Sequence, residues 1–175
     1  MRIQRLKELI ATVPDFPKPG ILFRDITPLL QAVDGLRLTT ELMAEKIVAA
    51  KLDPTIIAGA ESRGFIFGVA LAEHLGLGFV PIRKPGKLPR DTYRCSYELE
   101  YGQDSLEVHR DAFSSTERVL LVDDLLATGG TASACIRLVE MAGAKVAGLC
   151  FVIELLGFDA RSQLSGFEVQ SLLQY

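Results

Sequence analysis

Residues Val119–Thr131 read VLLVDDLLATGGT, and the order of residue types in this stretch decides the fold. Four apolar residues, Val119 to Val122, form a short unbroken run with a β-branched residue at each end. Such a run predicts a strand buried on both faces, as in a parallel sheet. Two carboxylates follow, Asp123 and Asp124, and then a turn closed by Thr128, Gly129 and Gly130. Behind the turn Ala132, Ile136 and Val139, with Leu138 beside them, recur at helical spacing.

This arrangement has a physical use. The first N–H groups of a helix have no internal partner, and the aligned peptide dipoles leave partial positive charge there. Glycine lets the backbone come close to a ligand. The pattern places a phosphate at Ala127, Thr128, Gly129, Gly130 and Thr131, with the two threonine hydroxyls helping. Each hydrogen bond to a charged phosphate oxygen contributes roughly 1.5–3 kcal/mol. Asp123 and Asp124 cannot take phosphate themselves; they are placed for sugar hydroxyls or a magnesium-bound water. A P-loop needs a lysine before its Ser/Thr, and none occurs between Asp123 and Lys145. The dinucleotide fingerprint needs three spaced glycines directly after the strand, where this chain has its acidic pair. The plain alternative is an ordinary strand-to-helix turn with glycines for geometry alone, which leaves two adjacent carboxylates without a purpose.

Outward from this stretch the same grammar repeats. Thr55–Ala58 predicts a strand, Gly59–Gly64 a turn, and Phe65–His74 a helix ended near Gly76. That turn offers helix-opening amides plus the Ser62 hydroxyl and the Arg63 cation, although a capped helix with a surface arginine has the same spacing. Gly78–Arg83 predicts a third strand. Lys84–Tyr97 is polar, with Arg83, Lys84, Lys87, Arg90 and Arg94 against Asp91 alone. It reads as a solvated loop or as a cationic lid at a strand's end. Tyr97–Tyr101 and Leu106–His109 predict a hairpin turning at Gly102–Ser105. Residues 1–13 predict an amphipathic helix stopped by Pro14, and Pro17–Pro28 an irregular segment. Asp34 is placed to cap a helix running to about Ala50. Val146–Ile153 predicts a buried strand after Gly143, and residues 167–175 an edge strand and tail. Together these give an α/β fold with a central, mostly parallel sheet flanked by helices.

At 175 residues the chain suits one domain with a real core. Its 49% hydrophobic and 23% charged content is that of a globular protein, and no run approaches a membrane span. A net charge of −3 gives no case for nucleic-acid binding. Cys135 and Cys150 fall on a helix and a strand; Cys95 falls in the polar segment and reads as an exposed thiol. Cysteines without pairing or metal spacing suit a reducing cytoplasm, and His74 and His109 stand without a ligand partner in sequence.

VLLVDDLLATGGT resembles the phosphoribosyl-pyrophosphate signature of the type I phosphoribosyltransferases. FPKPGILFRDITPLL (Phe16–Leu30), ESRGFIFG (Glu61–Gly68), RKPGKLP (Arg83–Pro89), SYELEYG (Ser96–Gly102) and SLLQY (Ser171–Tyr175) match, in order, the branch that takes adenine. The resemblance implies a single domain over 1–175, a hood over 1–33 and a mobile lid over 83–102. It implies that adenine and 5-phosphoribosyl 1-pyrophosphate become AMP and pyrophosphate with Mg²⁺, in a homodimer. It implies a 5′-phosphate on Ala127–Thr131, with ribose hydroxyls and the magnesium shell at Asp123 and Asp124. Pyrophosphate would lie on Glu61, Ser62, Arg63 and Gly64, with Arg83, Lys84 and Lys87 from the lid and a cis Glu61–Ser62 peptide. Backbone groups of Leu22 and Arg24 would read the adenine edge, with Leu155 on the base; the aromatic Phe23 suits either stacking on the base or packing in the core. Glu100 would handle a proton beside Tyr101, although the bare sequence favours a solvated hairpin residue there. The family carries a glycine before the arginine matching Arg161; Ala160 stands there, a departure that bears on the backbone of this turn. A transferase for 6-oxopurines and a non-catalytic regulator that only binds the donor remain alternatives.

Gly129→Val is expected to abolish donor binding, because glycine lets this turn approach the phosphate closely and take left-handed angles that a branched residue resists. Calorimetric titration with phosphoribosyl pyrophosphate checks this, and a normal affinity contradicts the cradle.

Overall fold

The computed structural model describes residues 1–99 and 102–175, and the side chains of all of these except 98, 99, 102 and 103. In chain order the elements are α1 (Arg2–Glu8), β1 (Ala11–Pro14), β2 (Leu22–Asp25), α2 (Thr27–Gln31), α3 (Gly35–Ala49), β3 (Ile56–Ala60) and α4 (Arg63–Leu75). They continue with β4 (Gly78–Ile82), β5 (Thr92–Leu99), β6 (Gly102–His109), β7 (Arg118–Leu126), α5 (Gly130–Met141), β8 (Lys145–Glu154), α6 (Ala160–Gln163) and β9 (Val169–Gln174).

Five strands form one sheet in the order β4-β3-β7-β8-β9, and every pairing in it is parallel. The apolar run Val119–Val122 lies on its central strand, β7. Its side chains alternate between two cores, as a pleated strand requires. Val119 and Leu121 pack with α5 and the β5–β6 hairpin. Leu120 and Val122 pack with α3, α4 and the N-terminal Leu6, Leu9 and Ile10. The alternation continues past the apolar run, because β7 extends to Leu126 and takes Asp123 and Asp124 with it. The acidic pair is therefore part of the strand rather than of the turn.

Several expected boundaries move. The N-terminal helix ends at Glu8, and Ala11–Pro14 pairs antiparallel with Leu22–Asp25, inside the stretch expected to be irregular. A ladder of backbone hydrogen bonds outweighed the prolines, which lie at the end of β1 and in the connecting loop. Asp34 precedes α3 but makes no capping bond; its carboxylate pairs with Arg5 at 3.5 Å. The hairpin begins at Thr92, and Gly102–Ser105 belongs to β6, opposite Leu99 to Ser96. Cys95 consequently lies in β5 and is buried, against the expectation of an exposed thiol; Cys95, Cys135 and Cys150 are all free. Gly76 and Gly143 end their helices at positive φ, and β9 forms the sheet edge, as expected.

Glu154, the last residue of β8, fastens the C-terminal elements. Its carboxylate accepts from Arg161 Nε and Nη2 at 2.6 and 2.8 Å, from Ser171 Oγ at 2.6 Å and from Gln174 Nε2 at 3.0 Å. The Arg161 guanidinium, then Ser171 and Gln174, hold its pKa at about 2 despite burial. A depressed carboxylate contributes stability that is present above its ordinary value near 4.5 and is lost as pH falls through about 2. Glu154→Gln should therefore be destabilised relative to the parent at pH 6, with the gap closing between pH 4.5 and 2. Denaturant unfolding across that range checks it; a gap independent of pH would overturn it.

Candidate active site

Parallel strands deliver their C-terminal ends, and the turns after them, to one side of the sheet. Here β3 and β7 are neighbours, with Gly59 opposite Val122. The Glu61–Gly64 turn and the Ala127–Thr131 turn thus open beside each other. Gly64 makes this possible: a Cβ there would stand 2.8 Å from the Val122 carbonyl oxygen and 3.1 Å from Asp123 Oδ1. The Glu61–Ser62 peptide is cis, as the resemblance implied. At the second turn Gly129 takes φ +91°, in the left-handed region, and α5 starts at the next residue.

A cleft of about 320 Å³ lies between these turns. It is lined by Glu61, Ser62, Arg63 and Lys84 on one side, by Asp123 through Ala132 on the other, and by Tyr97, Asp104 and Phe151. The Asp123 and Asp124 side chains leave β7 toward opposite faces. Asp124 is 3% exposed, and its Oδ2 meets Arg63 Nε at 2.9 Å. Asp123 Oδ1 accepts the Asp124 N–H at 2.9 Å. Burial raises the pKa of both; the neighbouring Asp124 carboxylate raises Asp123 further, whereas Arg63 opposes the rise at Asp124. A sequence reading could not show this Arg63–Asp124 pair, since 61 positions of chain separate the partners.

The other expected site residues divide. Glu61 lines the cleft, but its carboxylate is engaged: Oε2 accepts Arg83 Nε and the Lys84 N–H, each at 2.9 Å, which lowers its pKa. Arg83 is turned to Glu61 and to the Phe65 ring, 5.7 Å from its centroid. Lys84 reaches the cleft and Lys87, exposed, is not among its lining residues. Glu100 and Tyr101 lie outside the described residues.

Leu22, Phe23, Arg24 and Leu155 stand apart from this cleft's lining. Leu22 is exposed and Phe23 packs edge-to-face on Phe16, 5.1 Å between centroids. The Arg24 guanidinium lies 3.9 Å from the centre of the Tyr175 ring. Tyr175 in turn donates its N–H to Glu154 and accepts the Leu156 N–H, so it brackets Leu155. The C-terminal tyrosine thus joins the hood to the end of β8, a role that no sequence pattern marks. Among the described residues no group of three or more His, Cys, Asp or Glu could hold a metal ion by itself. No helix among them is long and apolar enough to cross a membrane.

Residues 26–164 match the phosphoribosyl transferase domain. The chain is 62% identical, over 100% of both sequences, to a protein of Francisella philomiragia named adenine phosphoribosyltransferase. Its fold is similar to the crystal structure of adenine phosphoribosyltransferase from Thermoanaerobacter pseudethanolicus, with a TM-score of 0.94, 47% identity and 99% of each chain covered. It is equally similar to that of the Saccharomyces cerevisiae enzyme solved with adenine and an imino-altritol bisphosphate, with a TM-score of 0.94, 39% identity and 98% of each chain covered.

The raised Asp123 pKa carries a prediction. A carboxyl whose folded pKa exceeds its unfolded one contributes stability at low pH and loses it as pH rises through the folded value. Asp123→Asn removes that loss, so the variant should melt above the parent at pH 8 and level with or below it at pH 3.5. Thermal unfolding at the two pH values measures this; the same offset at both would contradict it.

Proposed function

The chain belongs to the phosphoribosyl transferase family, and on that premise we propose that it is the purine-salvage enzyme that joins adenine to phosphoribosyl pyrophosphate, yielding AMP and pyrophosphate. The observation that carries this reading is the single cleft in which both anion-receiving turns and the acidic pair converge.

In this reading the amides and hydroxyls of Ala127–Thr131 hold the 5′-phosphate. Asp123 and Asp124 hold the ribose hydroxyls. The Ser62–Gly64 turn, Arg63 and Lys84 face the pyrophosphate, and Glu61 serves by holding Arg83 and the Lys84 amide in place. As the C1′–O bond stretches, positive charge grows on the sugar and negative charge on the leaving group. Fixed dipoles and cations then lower the barrier with no reorganisation of their own. Residues 83–102 act as the lid that shuts out water, which would otherwise capture the sugar cation. Glu100 is the group assigned to the base proton.

For Mg²⁺ the donor set is the test. A small hard cation that keeps its waters is held by one or two carboxylates plus substrate oxygens. Asp123 and Asp124 meet that description and would hold it through water or ribose hydroxyls. When bound, the ion would offset the charge of the pyrophosphate.

Adenine selectivity follows from backbone rather than side chains. The two-stranded β1–β2 sheet leaves one edge of β2 unpaired. Leu22 and Arg24, two residues apart, direct their N–H and C=O groups to the same edge. A carbonyl facing the 6-position accepts from an amino group and opposes an oxo group. That mismatch costs about 1–3 kcal/mol in a dry pocket.

The same reading places the enzyme as a homodimer in the cytoplasm, supported by the family resemblance and by three free, buried cysteines; light scattering at twice the 19.1 kDa chain mass tests the dimer.

The deciding experiment measures pyrophosphate release with adenine, hypoxanthine, guanine and xanthine, donor and Mg²⁺ present. Turnover with adenine alone is expected. Equal use of the oxopurines would overturn the edge argument, and donor binding without turnover would mark a regulator.

A further inference from the structure

The cleft that receives a polyanion contains a carboxylate with no part in the scheme above. Asp123 and Asp124 face the sugar, and Glu61 is spent on Arg83 and Lys84. Asp104, on β6, also lines the cleft, where its charge should repel the donor. Its contacts explain its presence. Asp104 Oδ2 lies 3.2 Å from Lys84 Nζ and 3.5 Å from the Tyr97 hydroxyl, and Oδ1 accepts the Ser105 N–H at 2.8 Å. Tyr97 is the cross-strand partner of Asp104, so their side chains share a face of the hairpin. Tyr97 lines the same cleft as Thr131 of the Ala127–Thr131 turn.

Lys84 is therefore held at two points. Its amide is tied to Glu61 and its ammonium to Asp104. A lysine side chain loses rotamer freedom when it is fixed, so a cation already placed binds an anion better than one free in solvent. An ammonium has three donors, and a carboxylate partner leaves others for a ligand. Asp104 also raises the Lys84 pKa, keeping the ammonium charged.

We propose that Asp104 is a positioning residue for the donor: it holds the Lys84 ammonium in the cleft, ready for the leaving pyrophosphate. This rests on the reading of the cleft as the donor site. Asp104 acts through Lys84 and touches no reacting atom.

The test is a double-mutant cycle on the full chain with phosphoribosyl pyrophosphate as ligand, read by calorimetry and by steady-state kinetics. Asp104→Asn should raise both Kd and KM for the donor about five- to tenfold and leave the KM for adenine unchanged. In a Lys84→Met background the same change should shift either value less than twofold. Asp104→Glu, which keeps the carboxylate, should return them to within threefold of the parent. An Asp104→Asn effect of equal size in both backgrounds would show a merely structural role and overturn the proposal. So would unchanged or tighter donor binding in the single variant, as expected if Asp104 only repels the donor. These outcomes are read against a parent that binds donor and forms AMP; a parent that does neither sinks the functional reading itself, and this inference with it.

Discussion

The close approach of the Glu61–Gly64 turn to β7 is the constraint on which the rest of the site depends. With no side chain at Gly64, the start of α4 settles against the Val122 carbonyl. Only then does Arg63 come within 2.9 Å of Asp124, and only then do the two helix-opening turns bound one cleft. A methyl group at Gly64 would push α4 away from backbone, which cannot yield as a flexible side chain can. The parallel register of β3 on β7 sets the direction of approach, and the glycine sets its distance.

Charge in the cleft is arranged in opposed pairs. Arg63 faces Asp124, Lys84 faces Asp104, and Arg83 faces Glu61. Partly exposed pairs of this kind add little to stability, because solvent screens them. Their value lies in keeping cations in place without a ligand. A donor carrying several negative charges can then draw on cations already at hand instead of recruiting them from solvent. Asp123 is the exception, since its pKa is raised by burial and by Asp124 while Arg63 only partly opposes the rise. A buried carboxyl held without its own cation costs stability, and its position at the cleft gives a reason to tolerate that cost.

The parts of this structure legible in the sequence are those that local chemistry dictates. A short apolar run β-branched at both ends suits a buried strand, glycines at 76, 129 and 143 can take left-handed angles, and a turn before a helix exposes amides. These pointed to the parallel sheet and both turns, though not to the β1–β2 pair. What the sequence concealed depends on register and distance. Cys95 looked exposed because its neighbours are polar, yet in β5 alternate side chains face inward. Gly102–Ser105 looked like a turn by composition, yet its pairing with β5 makes it strand. The Arg63–Asp124, Lys84–Asp104 and Arg24–Tyr175 contacts join residues far apart in the chain, and composition carries no signal for such pairs.

The departure at Ala160 can be followed in the backbone of the turn before Arg161. A glycine is needed there only if that residue must adopt left-handed angles or leave room for a neighbour. Asp159 takes the left-handed conformation, with φ +47°, and Ala160 begins α6 as an ordinary helical residue. Aspartate tolerates that region better than most side chains. The Ala160 Cβ lies 3.5 Å from where a Cβ on Gly129 would stand, an ordinary contact distance. The alanine methyl therefore packs beside the Gly129 turn without crowding it. Arg161 then remains free to bind Glu154 and the Val169 carbonyl, which keeps α6 on the sheet end.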